Sequence, residues 1–114
     1  MSATLDKIRG HKFITAEIKK TMPKLYSQEN VDDPMVVAKW FGQNGWRWFA
    51  IEWDGEDTFF GLVQGMDTEL GYWSMKELES LMGSLGIPAV ERDCHWTPKK
   101  LSEVRESLEK HNFA

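Results

Sequence analysis

Carboxylates are the residues of this chain best spaced for chemistry. Glu52, Asp54, Glu56 and Asp57 crowd one turn signal, and Asp67 and Glu69 flank the next. A hard divalent cation takes several such oxygens from loops, and a two-metal nuclease would use the same groups. A plainer reading competes with this one. Acids at hairpin ends are solvated, and Asp54 suits the geometry of the turn itself. No metal or other cofactor is therefore expected, and Glu52, Asp54, Glu56, Asp57 and Glu69 are the candidates if one binds.

Other reactive side chains carry less. Cys94 and His95 are adjacent, and neighbours on a strand point to opposite faces, so a nucleophile–base pair is disfavoured. His11, His95 and His111 lack the spacing of zinc ligands, and no CxxC accompanies them. Glu91-Arg92-Asp93 reads as an internal ion-pair element that fixes a strand, with a catalytic carboxylate as the alternative. Catalytic residues stay unassigned.

Aromatic and basic residues suggest binding. Phe41, Trp46, Trp48, Tyr72 and Trp73, which with Phe59 are the candidate partner-binding residues, could stack bases or sugars, but the nearby cations are mainly Lys39 and Arg47. Tryptophan and tyrosine are favoured anchors in protein interfaces, so contact with a protein partner, or core packing, fits better. Lys7, Arg9, Lys12, Lys19 and Lys20 precede an acidic body, the footprint of a phosphate-binding arm. The net charge of −4 argues against a strong duplex-DNA binder.

These residues need a scaffold, and 114 residues suit one domain. Residues 1–12 read as a flexible N-terminal arm and residues 13–114 as a single α+β domain. No apolar run is long enough to span a membrane, no signal peptide is evident, and the single cysteine suits a reducing compartment. A cytoplasmic location is expected.

Ile14, Ile18 and Met22 recur at helical spacing after a Thr15 cap, and Pro23 should stop that helix. Residues 35–41, 46–53, 56–64 and 69–73 read as strands, with residues 89–96 a candidate fifth. Asn44-Gly45 and Asp54-Gly55 read as two-residue hairpin turns. That register sets Phe41 opposite Trp48 and Phe49 opposite Phe60. One face then carries Val36, Ala38, Trp40, Phe49, Ile51, Trp53, Phe60 and Leu62. The other carries Val37, Lys39, Phe41, Trp46, Trp48, Ala50, Glu52, Phe59 and Val63. Because this second face is also apolar, it needs a cover: a helix, a second subunit or a partner. Ser74 and Glu77 form a capping box for a helix to about residue 82, and Thr97-Pro98 opens a final helix with Leu101, Val104 and Leu108 inward. The expected fold is an antiparallel meander of four to five strands packed with about three helices.

The strings MPKLYSQENVDDP, WDGEDTFFGLVQG, ELGYWSMKELES and LGIPAVERD, followed by KKLSEV, resemble the DUF2958 family from about Thr21 to Val104. The resemblance implies a small bacterial protein often carried by plasmids, integrative elements or phages, with no established activity. Leu25, Tyr26, Phe60, Gly61, Glu69, Gly71, Tyr72, Glu91, Arg92 and Asp93 match its recurring positions. The leading expectation is a non-enzymatic mobile-element accessory protein that binds a protein partner through an aromatic and acidic sheet surface. A metal-dependent enzyme on nucleic acid and a single-strand nucleic-acid binder are the alternatives, and homodimerisation through the second face competes with all three.

Overall fold

A computed structural model describes residues 3–111. Met1, Ser2 and residues 112–114, the extreme ends of the expected arm and domain, lie outside the described residues, as does the side chain of His111. The fold is α+β. Strands β2 (Ala38–Gly42), β3 (Arg47–Trp53), β4 (Thr58–Gln64) and β5 (Thr68–Ser74) form an antiparallel meander, and β6 (Val90–Arg92) joins outside β2. The order is β5-β4-β3-β2-β6. A separate two-stranded ribbon pairs β1 (Met35–Val36) with β7 (Lys99–Lys100).

Helices α1 (Ala3–Arg9), α2 (Ala16–Thr21), α3 (Met75–Ser80) and α4 (Leu101–His111) complete the fold. The expected caps form. Thr15 Oγ1 accepts the Ile18 N–H at 3.1 Å and Ser74 Oγ the Glu77 N–H at 3.2 Å. Proline stops α2 one turn after Ile18, as its missing donor and its effect on Met22 require. Three elements differ from expectation, the first being the strand expected at 35–41, which divides into β1 and β2 in two different sheets. Residues 1–12 show no apolar period, yet residues 3–9 are helical, because Arg9 docks on the body rather than because a stripe packs. The final helix starts at Leu101, not at Pro98, since Lys99 and Lys100 pair with β1 first.

Both hairpin registers also differ. Gly42 N–H donates to Trp46 O at 2.8 Å, Gly45 N–H donates to Gly42 O at 3.1 Å, and Gly45 has φ of +87°. That is a three-residue loop, whose left-handed third position favours glycine. It sets Phe41 opposite Arg47 and Trp40 opposite Trp48. At the second turn Asp54 Oδ1 accepts the N–H groups of Glu56, Asp57 and Thr58, so the loop is longer than two residues and Trp53 opposes Phe59. A bulge intervenes at Ile51: Ala50 pairs with Gly61 and Glu52 with Phe60.

A one-residue change in register moves side chains to the other face. The expected core face therefore splits. Ala38, Trp40 and Trp53 share one side with Trp48, Ala50 and Phe59. Val36, Phe49, Ile51 and Leu62 lie on the other. The need for two covers is met, and the described chain supplies both. Phe13, Ile14, Ile18, Met22, Met75 and Leu78 pack on the first face. Leu101, Val104 and Leu108, with Trp96, pack on the second.

Candidate functional site

The bulge in β3 determines what lies at one end of the second face. A regular strand would place Glu52 opposite Ile51. The extra residue instead brings both to the same side, and a bulge commonly re-aims a side chain this way. Glu52 is 3% exposed, and its two oxygens accept the backbone N–H groups of Tyr26 (2.9 Å) and Gln28 (2.7 Å). Charge-assisted bonds of this kind fix a loop firmly. The chain just before this loop is tied to the same strand end, since Trp53 N–H donates to Pro23 O and Leu25 N–H to Trp53 O. Tyr26 then turns the chain at φ +69°, a left-handed conformation that costs a side-chain-bearing residue about 1–2 kcal/mol.

This loop forms one wall of an open cleft of about 380 Å³. Its aromatic part is Tyr26, Phe60 and Tyr72. The Tyr26 and Tyr72 rings lie 6.3 Å apart and the Phe60 and Tyr72 rings 4.8 Å apart. Ile51, Leu70, Val31, Pro34 and Leu101 supply its apolar remainder, and Glu29, Asp32 and Glu52 its carboxylates. No lysine or arginine is among the described residues that line it. Tyr26 and Tyr72 are more than half exposed. Partial burial, then the nearby Tyr26, Glu52 and Glu29, push the Tyr72 hydroxyl above its ordinary value. Negative potential and open ring faces together suit a cation.

The aromatics expected to meet a partner do not form one surface. Phe59 is fully buried, with Trp53 and Trp73 stacked at 5.6 and 5.9 Å, and Trp48 is 7% exposed in the same core cluster. Trp46 is half-buried over Gly65, and Phe41 is exposed away from the cleft. Only Tyr72 of that set lines the cleft. The correction follows from the cover on the first face, where Phe13, Ile14, Ile18, Met22, Met75 and Leu78 pack into one core with Trp48 and Phe59.

The metal candidates are likewise dispersed. Asp54 serves its own turn, and three backbone bonds hold its carboxyl below the usual range. Asp57 accepts from Ser74 Oγ at 2.5 Å and from the Lys76 N–H at 2.7 Å, joining the second hairpin to α3. Glu56 and Glu69 are exposed and Glu52 is committed to its loop. Among the described residues no three His, Cys, Asp or Glu side chains are placed to hold a metal ion.

Glu91-Arg92-Asp93 ties segments together. Arg92 Nε donates to Lys12 O at 2.8 Å, Asp93 Oδ2 lies 3.7 Å from Lys39 Nζ, and Glu91 pairs with Phe41. Burial lowers the pKa of Lys39, while Asp93 opposes that shift. Cys94 and His95 are exposed on a turn beyond β6 rather than on a strand. Among the arm's bases, Arg9 is committed: it donates to Val90 O at 2.9 Å and Glu79 O at 3.0 Å, and lies 4.2 Å over the Phe13 ring. Lys7, Lys12, Lys19 and Lys20 are exposed on the side of the first face, away from the cleft.

The cleft is hard to see in the sequence because residues 27–34, SQENVDDP, are mostly polar and have no hydrophobic period. The signals were present: Tyr26, Phe60 and Tyr72 all match recurring positions of the resemblance, and an acidic loop follows Tyr26. Among the described residues no helix is long and apolar enough to cross a membrane. A family model described as "Protein of unknown function (DUF2958)" matches residues 13–111. No curated protein and no solved structure matches the chain.

Proposed function

The chain belongs to the DUF2958 family, proteins of unknown function, and from that premise we propose that it is a binding module whose cleft receives a cationic side chain of a protein partner. The supporting observation is the lining itself: three aromatic rings and three carboxylates with no base among them. An arginine or lysine would lose part of its hydration on entry, and ring faces and carboxylates would replace it. The volume is within the range of small ligand sites, and a peptide side chain needs less. This keeps the aromatic and acidic recognition expected from sequence but moves it to Tyr26, Phe60 and Tyr72. The resemblance adds the setting, an accessory protein of a bacterial mobile element. Phosphate recognition is disfavoured at this cleft, since Glu29, Asp32 and Glu52 would repel it.

Isothermal titration with arginine-rich, neutral and acidic peptides of matched length tests the proposal. The arginine-rich peptide is expected to bind, with affinity falling as salt rises. Tyr72→Ala should weaken it roughly tenfold, the effect of losing about 1.4 kcal/mol. Phe41→Ala, on the far side, should leave it unchanged. Equal binding of the acidic peptide would reject the assignment.

A further inference from the structure

Strand β5 is the edge of the sheet on the cleft side. It is seven residues long and pairs with β4 at seven consecutive positions without a register shift. Natural proteins blunt such edges with short strands, bulges, proline, lysine or a covering helix. The opposite edge, β6, is blunted: it has three residues and carries Arg92. Strand β5 reads TELGYWS: it has no proline, lysine or bulge, and its one charged side chain, Glu69, lies near its head. Thr68, Glu69, Leu70 and Tyr72 are exposed, and a Cβ placed on Gly71 would meet nothing within 4 Å. Among the described residues, 68–73 make no backbone hydrogen bonds beyond their own ladder with β4.

We infer that the outer edge of β5 takes an extended basic segment of the partner as an added antiparallel or parallel strand, a mode of peptide recognition that relies on backbone bonds for affinity. This rests on the cationic reading of the cleft. Leu70 and Tyr72 alternate onto the cleft face, so an added strand would project every second side chain beside them. The charge of the surroundings selects the occupant. Asp67 and Glu69 lie at the head of the strand, Glu29 and Asp32 beside it, so a basic segment is attracted and a second copy of this acidic surface is repelled.

The test uses the intact chain, isotopically labelled, and a peptide alternating arginine with valine. Two further versions carry N-methyl groups on alternate backbone nitrogens, one in each register. These retain every side chain and charge while removing one row of donors. Binding should shift the amide resonances of 68–73 and slow their hydrogen exchange. One N-methylated register should bind roughly tenfold more weakly than the parent. Shifts confined to Tyr26, Phe60 and Tyr72, with both N-methylated peptides binding like the parent, would overturn edge pairing and leave the cleft reading intact. Failure of every cationic peptide to bind would remove the cleft reading and this inference with it. A dimer in sedimentation that Leu70→Lys dissociates would overturn the inference by assigning the edge to a second copy.

Discussion

Glu52 shows how one side chain can be both apparent and misread in a sequence. In a run of acids it looks like a ligand, and in the fold it is an internal acceptor for two loop donors. Replacing it with alanine leaves both part-buried N–H groups without their acceptor. Each such orphan costs about 1–3 kcal/mol. Glu52→Ala is therefore expected to destabilise by roughly 2–4 kcal/mol in urea unfolding, and Glu52→Gln, which keeps one acceptor oxygen, by clearly less. The same variant should free Tyr26 from its left-handed turn and lower peptide affinity in step with Tyr72→Ala. If Glu52→Ala leaves both stability and exchange of the Tyr26 amide unchanged, the anchoring role is wrong.

The elements carry a second lesson through Gly61. A Cβ there would sit 1.8 Å from Phe49 O, on backbone that cannot swing aside. Glycine in a strand often marks such an approach, and here it lies opposite Ala50, where the bulge begins. Gly61→Ala should cost about 3 kcal/mol, the upper end of overpacking effects, and thermal unfolding checks this. Gly71→Ala, in open space on the next strand, is the matched control and should cost under about 1 kcal/mol. Element types were legible in the sequence because caps, prolines and periodicities are local. Thr15, Ser74 and Pro23 act within a turn of where they stand. Register was not legible, because Asn44-Gly45 serves a three-residue loop as well as a two-residue one, and only packing decides between them. The Ile51 bulge left no local mark at all. Helix α1 was missed because it buries no residue, and Arg9, rather than an apolar stripe, holds it in place. The cleft was illegible for the same reason, since Glu52 reaches it only through the bulge.

At the scale of the molecule, the sheet is a two-sided apolar slab with one cover from each end of the chain. Residues 13–22 and α3 close one side, and α4 closes the other. Asp33 secures α4 from the far end of the acidic loop, accepting the Ser102 N–H at 2.9 Å and its hydroxyl at 2.6 Å. The cleft wall and the α4 cover therefore share one loop. Val104 is fully buried at the centre of α4's inner stripe. Val104→Asp would bury an unpaired carboxylate and should cost at least about 3 kcal/mol. Expected with it are dye binding to the uncovered Phe49, Ile51 and Leu62 and loss of peptide affinity, read by fluorescence and titration. Retention of affinity would show the covers and the cleft to be independent. The arrangement also has a timetable. A ribosome adds about 5–20 residues per second, so the meander is complete seconds before Leu101 emerges. During that interval the Phe49–Leu62 face lacks its α4 cover, and transiently exposed apolar surface of this kind is prone to aggregate until the last eleven-residue helix closes over it.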